Sequence, residues 1–195
     1  MTGQKMPLVI RPATTADIPA ITRIYAHAVT HGTASFELEP PDEVEIALRM
    51  KAVLDGKFPY LVAEVDGAVA GYAYASLYRT RPAYRFTVEN SVYVAPEAHR
   101  RGIGKALLEK LIEACTALGF RQMIAVIGDS NQAASIGVHK ACGFEPAGNL
   151  KNIGFKFGRW LDTPLMQLSL GPGAGTLPAD SDPKRPPAEP GDNLH

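Results

Sequence analysis

The sequence has little cysteine, no excess of either charge and no long apolar run, and each shortage removes a class of protein. Its 195 residues contain two cysteines, Cys115 and Cys142. Both fall in helix-like segments with no nearby His/Cys cluster, so neither a disulfide framework nor a zinc site has support, and buried thiols are expected. Lys+Arg and Asp+Glu are both 20, which leaves no general attraction for nucleic acid or an anionic membrane and makes a small-molecule partner the natural expectation. No stretch approaches the length of a membrane span. Residues 1–10 hold a lysine and a proline without the apolar core of a secretory signal, so a cytoplasmic protein is expected. No internal repeat is evident. What is present is a 46% apolar fraction in a chain long enough for one domain with a sizeable core.

The stretch with the most specific chemistry is His99-Arg100-Arg101-Gly102-Ile103-Gly104-Lys105-Ala106. It stands directly before an apolar-periodic helix, whose start offers an anion unpaired N–H groups and a partial positive charge. Gly102 and Gly104 put no side chain between those groups and a ligand, and Arg100, Arg101 and Lys105 add whole charges. Spacing tests two familiar phosphate sites. A Walker A loop fails because His99 stands at its first glycine and Ala106 at its Mg²⁺-binding hydroxyl. A dinucleotide fingerprint fails because Leu107 stands at its third glycine. What remains is either a pyrophosphate loop of another kind or an arginine-rich surface turn.

Periodicity sets out the other elements. Leu8-Val9-Ile10-Arg11 reads as an opening strand. A helix starts near Asp17, carries Ile18, Ile21, Ile24, Tyr25 and Ala28 on its apolar face and ends at His31-Gly32. His27 and His31, one turn apart, are either two metal ligands without a third or solvated, locally bonded histidines. Phe36 lies in the loop that follows. Pro40-Pro41-Asp42 introduces a second helix with Val44, Ala47, Leu48, Met50 and Leu54 as its apolar set. Two strands, 60–65 and 68–75, flank Asp66-Gly67, a type I′ hairpin signal. Residues 77–85 form a loop with Arg79, Arg81, Pro82, Ala83, Tyr84 and Arg85, leading into a β-branched and aromatic strand over 86–94. After the glycine stretch, Ile103, Leu107, Leu111, Ala114 and Leu118 recur at the helical period, broadened by Leu108, Ile112 and Cys115, until Gly119 ends the helix. Residues 122–127 read as a buried strand, and Gly128-Asp129-Ser130-Asn131 as a turn opening a helix to about Cys142. A strand region over 143–150 and a final strand over 165–170 follow. From 171 to 195 the composition turns to Gly, Pro, Asp, Ala and Lys, which predicts a disordered tail after a domain of residues 1–170. Its Pro183-Lys184-Arg185-Pro186-Pro187 piece either docks a partner or is simply solvated.

Several separated segments carry a resemblance, in matching order and spacing. They are Leu61-Val62-Ala63-Glu64-Val65-Asp66-Gly67, Thr87-Val88-Glu89-Asn90-Ser91-Val92-Tyr93-Val94, the glycine stretch, Ala125-Val126-Ile127-Gly128 and Gly154-Phe155-Lys156-Phe157-Gly158. On these, over about residues 10–170, the sequence is similar to the GNAT acetyltransferases and, among them, to the phosphinothricin and methionine sulfoximine N-acetyltransferases. The resemblance implies an α/β (α+β) GNAT fold, a mixed central sheet flanked by helices, with acetyl-CoA as donor and no metal. It also implies site residues. The backbone of Val92, Tyr93 and Val94 would pair with the pantetheine arm, with the Val94 N–H directed at the thioester carbonyl. Arg100, Arg101, Gly102, Ile103, Gly104 and Lys105 would wrap the pyrophosphate, and Asn131 would touch the cofactor again, cap its helix, or do both. Glu89 would be the general base that takes a proton from an α-ammonium, directly or through one water. Without the resemblance it reads as an exposed or salt-bridged strand carboxylate. His139, where most of the superfamily carries a tyrosine, would protonate the departing thiolate or be a helix-surface histidine without a catalytic role. Arg81, Pro82, Ala83 and Tyr84, with Glu89 and Phe36, would hold the acceptor, arginine gripping its carboxylate.

The activity so implied is direct acetyl transfer to the α-amine of a small amino-acid-like substrate. Rival readings are a different amine, such as a peptide N-terminus, a polyamine or an aminoglycoside, and a non-catalytic acetyl-CoA sensor. The arginines of the 77–85 loop repel a polyamine and attract a carboxylate. A homodimer is implied by the family alone, with Gly158-Arg159-Trp160 near its interface.

Overall fold

Two-residue turns with left-handed backbone set the hairpins of this protein, whose computed structural model describes residues 8–178. The chain runs β1 (Val9–Pro12), a 3-10 turn (Thr15–Asp17), α1 (Ile18–His31), α2 (Glu43–Asp55), β2 (Tyr60–Val65), β3 (Ala68–Leu77), β4 (Thr87–Val94), α3 (Ile103–Ala117), β5 (Gln122–Val126), α4 (Ala133–Ala141), β6 (Glu145–Lys156) and β7 (Arg159–Ser169), with further 3-10 turns at Pro82–Tyr84 and Pro96–Ala98. One sheet takes the order β1-β2-β3-β4-β5-β7-β6, and only β4 and β5 run parallel. The expected mixed sheet and element order are observed.

At Asp66-Gly67 both residues have positive φ, 55° and 75°, the type I′ geometry that aligns the twist of β2 and β3. A second such turn was not anticipated. Phe157 and Gly158, at 51° and 72°, join β6 to β7, so the strands expected over 143–150 and 165–170 are the far ends of one long hairpin. Its lysines, asparagines and aspartate hide it from propensity.

Two helices cover each face. Tyr93 packs edge-on against Tyr25 of α1, ring centroids 5.0 Å apart, whereas a Cβ on Gly104 of α3 would lie 3.5 Å from Val94. Neighbouring residues of β4 thus face opposite layers, as a period of two requires. α3 buries Ile103, Leu107, Leu108, Leu111 and Cys115, while Leu118 stays 47% exposed. Cys142 is half-buried. The α2 face requires correction. Val44 and Leu48 are 69% and 59% exposed and Leu54 40%, and the buried face is Ile46, Met50 and Val53, an i, i+4, i+7 stripe. Residues 171–178 fold back on Arg121, whose Nη1 donates to Gly173 O (3.1 Å) and Thr176 Oγ1 (3.0 Å) and whose Nη2 donates to Leu177 O (3.2 Å). The rest of the expected tail, with its proline-rich piece, lies outside the described residues.

The entry to α1 is fixed by charge. Arg11 of β1 grips buried Asp17 with two bonds of 2.8 Å and reaches Glu64 of β2 through Nε at 3.0 Å. Thr14 N–H also donates to Asp17, at 2.8 Å. The Arg11 guanidinium, against the opposing effect of burial, brings the Asp17 carboxyl down to about 2. A depressed native pKa supplies stability above the unfolded value near 4 that is lost as pH falls toward 2. Asp17→Asn should therefore cost about 1–2 kcal/mol at pH 7, discounted for the partial exposure of Arg11. Denaturant titrations from pH 7 to pH 2 should show the deficit vanishing over the last two units or so; a constant deficit would contradict the ion pair as its source.

Candidate active site

The site begins with an unfilled place in the sheet. β3 and β4 pair from Leu77↔Val88 to Gly71↔Val94, and flanking bonds run from Tyr78 N–H to Thr87 O (3.3 Å) and from Ala95 N–H to Ala70 O (2.9 Å). Antiparallel strands exchange backbone bonds only at alternate residues. Thr87, Glu89, Ser91 and Tyr93 therefore spend theirs on β3, and Val88, Asn90, Val92 and Val94 turn theirs to the other side. There β5 accompanies β4 only from Thr87↔Gln122 to Asn90↔Ala125. Beyond Asn90 the strands part, and the polar backbone groups of Val92 and Val94 face the gap. Val94 O meets the His99 ring at Nε2 (3.0 Å).

This divides the residues expected to hold the pantetheine arm. Val92 and Val94 present backbone to the gap, but Tyr93 does not; its ring joins a buried cluster with Tyr25, Tyr60, Tyr72 and Tyr74. At the C-terminal end of the gap, Gly102 caps α3 with φ 80°, a left-handed turn that aims successive N–H groups outward. Arg100 is also left-handed, at φ 58°, and Arg100 and Arg101 are exposed. Ile103 contributes backbone only, its side chain being buried. Lys105 pairs with Glu109 one turn along α3. The gap, the turn and the arginines together fit an extended chain ending in a pyrophosphate. Asn131 lies one residue before the Gln132 cap of α4, exposed and with its N–H donating to Asp129 Oδ1 (2.9 Å), so it does not cap that helix.

Glu89 points into the α1/α2 layer, on the face of Tyr93. Burial pushes its carboxyl up to about 7, against a smaller opposing pull from Arg79. Tyr74 lies close enough to both Glu89 and Glu37 for their charges to raise its hydroxyl further, burial being the main cause. Glu37 accepts from Tyr25 (2.7 Å) and Arg49 (2.6 Å). The 33–37 loop is tied down at several points: Lys156 donates to Ser35 O at 2.8 Å, and Thr33 donates to Asp129 at 3.0 Å. Phe36 lies flat enough on Gly154 that a Cβ there would come within 2.2 Å of its ring. Arg81, Pro82, Ala83 and Tyr84 are exposed on the 3-10 turn before β4. The sequence reading assigns no site role to Glu37, Tyr74 or Lys156, although Lys156 stands inside a recognised segment, and it places Tyr25 on a helix face, Asp129 in a turn and Arg159 near an interface.

His139 and Glu89 do not meet. His139 is 5% exposed, in the α3/α4 layer, with Nδ1 2.8 Å from Ser135 O and Nε2 2.9 Å from Asn90 Oδ1. Burial pushes its pKa down, partly countered by Ser135. The expected surface histidine is corrected by this setting: the ring is enclosed, and because Ser135 O and Asn90 Oδ1 both accept, a neutral ring donates to only one of them. The rings of His27 and His31 stack with centroids 4.5 Å apart.

Comparison with known proteins agrees with this geometry. Residues 21–144 match the acetyltransferase (GNAT) family. A phosphinothricin N-acetyltransferase of Alcaligenes faecalis is 59% identical over 83% of this chain and 82% of its own length. An L-methionine sulfoximine/L-methionine sulfone acetyltransferase of Pseudomonas aeruginosa is 42% identical over 84% and 95%. The crystal structure of a GNAT superfamily phosphinothricin acetyltransferase from Sinorhizobium meliloti, in complex with acetyl-CoA, superposes with a TM-score of 0.90 at 50% identity and covers 94% of this chain and 99% of that one.

The elevated Glu89 pKa has a cost that thermal melts can read. A native carboxyl that holds its proton more tightly than the unfolded chain loses stability as pH rises from about 4.5 to 7. Glu89→Gln, which mimics the neutral acid, should melt near the wild type at pH 4 and above it at pH 8, the advantage growing over that interval and then levelling off. An advantage independent of pH would rule out burial of the charge as its cause.

Proposed function

Because this chain belongs to the acetyltransferase (GNAT) family, we propose that it acetylates the α-amine of a small amino acid of the phosphinothricin, methionine sulfoximine or methionine sulfone type, using acetyl-CoA in one direct transfer. The observation that carries this reading is Glu89, a half-buried carboxyl tuned to about 7 on the strand whose edge is open to the donor. When bound, acetyl-CoA supplies an activated acetyl group. Glu89, half ionised near neutral pH, takes the proton that an α-ammonium must lose, directly or through one water. The Val94 N–H, facing the gap, donates to the acyl oxygen. Val92 aligns the arm by backbone pairing, and Gly102 and Gly104 with Arg100, Arg101 and Lys105 receive the pyrophosphate. Asn131 lies by the donor at the mouth of α4. Arg81 takes the acceptor carboxylate, while Pro82, Ala83, Tyr84 and Phe36 shape its pocket. The names of the relatives support the acceptor class.

Thiol release with methionine sulfoximine, methionine sulfone, phosphinothricin, unmodified amino acids, a peptide amine and spermidine tests the reading. Turnover should be confined to the amino-acid analogues, with an acidic limb of kcat/KM near pH 7. Glu89→Gln should lower kcat by about 100-fold or more with acetyl-CoA affinity retained. Faster turnover of the peptide amine or spermidine, or a Glu89→Gln enzyme of normal kcat, would refute it.

The same reading includes a cytoplasmic homodimer. Support for the dimer comes from the β6–β7 hairpin, where Ile153 and Phe155 (56%), Phe157 (58%) and Trp160 (62%) are exposed and Phe155 and Trp160 touch, centroids 5.2 Å apart. Such a patch is costly on a monomer. Light scattering should give twice the chain mass, falling to the monomer in a Phe155→Glu/Trp160→Glu variant; an unchanged mass would refute this interface.

A further inference from the structure

We propose that His139 and Asn90 form a positioning pair that fixes the spacing of β4 and β5 where the gap opens, and that His139 serves acetyl transfer through Asn90 and not by giving a proton to the thiol. The inference rests on the acetyl-CoA reading above. Asn90 is the last residue of β4 to pair with β5, and its side chain is 6% exposed. Its Nδ2 donates to Ile124 O on β5 at 3.0 Å. A carbonyl can only accept, so the amide orientation is fixed, and Oδ1 must point away from β5, toward Nε2 of His139 at 2.9 Å. The His139 ring is packed edge-on against Phe144, centroids 4.9 Å apart, with Nδ1 2.8 Å from Ser135 O one turn back on α4; since both oxygens accept, the tautomer that serves Asn90 carries its proton on Nε2.

The chain of contacts therefore runs from β5 through Asn90 and His139 into α4, on the α3/α4 face of the sheet at the fork. Without His139, the Asn90 amide loses the partner that fixes its rotamer, and its buried oxygen is left without a donor. The strands then close or widen, and Val92 and Val94, two and four residues on, move with them. Misplacing a bound reactant by an ångström is enough to cost orders of magnitude. The ring is enclosed, and the tautomer that carries its proton on Nε2 directs that N–H at Asn90 Oδ1 and not at the gap.

The test measures steady-state kinetics with methionine sulfone and, by calorimetry, acetyl-CoA dissociation constants for the wild type, Asn90→Ala, His139→Ala, His139→Gln and the double alanine variant. Each alanine variant should weaken acetyl-CoA binding about tenfold and raise its KM, and the double variant should be no worse than either single, because the two act as one unit. His139→Gln keeps an N–H for Asn90 but is no acid at neutral pH, so it should stay within about threefold of the wild type in kcat. A kcat as low in His139→Gln as in His139→Ala, with acetyl-CoA binding intact, would overturn the proposal in favour of proton donation; multiplicative effects of the two alanines would overturn the coupling. Should His139→Ala fail to fold, His139→Gln and Asn90→Ala still decide. Calorimetry reads the fork whether or not methionine sulfone is turned over, so an incorrect acceptor shows separately, as binding without turnover.

Discussion

The parting of β4 from β5 after Asn90 is the constraint on which the rest of the structure depends. Backbone N–H and C=O groups away from water require partners, and a sheet supplies them by adding a strand. Here the next strand stops keeping pace: Asn90↔Ala125 is the last pair, and shortly beyond it Ile127 N–H turns to Pro164 O (2.9 Å), committing β5 to the hairpin side. Val92 and Val94 keep their hydrogen-bonding groups directed at a place no strand occupies. An extended ligand with alternating donors and acceptors is the natural occupant, so the binding site is an incomplete β-ladder and needs few dedicated side chains. On this reading the pantetheine part of the proposed donor site consists mainly of backbone, and charged side chains enter only at its pyrophosphate end.

The acceptor side follows from the same strand by alternation. Residues 89 and 90 are adjacent, yet one faces α1 and α2 and the other α3 and α4, since side chains change face at every residue. Glu89 enters a layer lined by tyrosines, where burial raises its carboxyl to about 7 against a smaller pull from Arg79. Asn90 enters the layer where His139 waits. On the proposed reading one dipeptide separates the chemistry of the amine from the scaffolding of the donor.

Much of this was legible in the sequence, and the failures have physical causes. Asp66-Gly67 specified its hairpin because few residues adopt positive φ cheaply, and the face of α3 was readable because its apolar residues form one stripe. In α2 the apolar residues lie on two sides, and the choice between Leu48 and Ile46 was made by what β2 and β3 offered as partners. The long β6–β7 hairpin is polar and exposed along most of β6, so neither alternation nor propensity marked it. The partners of His139 could not be read either: Asn90 is 49 residues away, and local sequence contains no trace of that contact.

The loops beside the proposed acceptor side are likewise held from a distance. Asp129, 2% exposed, accepts from Thr33 Oγ1, Arg159 Nη2 and Asn131 N–H. Burial alone would raise its pKa, but the Asn131 N–H, Arg159 and Thr33 together lower it, so the carboxylate stays charged where it stands. It connects the loop bearing Phe36, the hairpin bearing Lys156 and the approach to α4. Gly128 beside it leaves room for nothing larger, since a Cβ would come within 2.1 Å of Thr33 O. The 33–37 loop is therefore not an independent flap. Its position is set by the turn that also delivers Asn131, so the proposed acceptor wall and the proposed donor side share one anchor, a buried carboxylate satisfied by both.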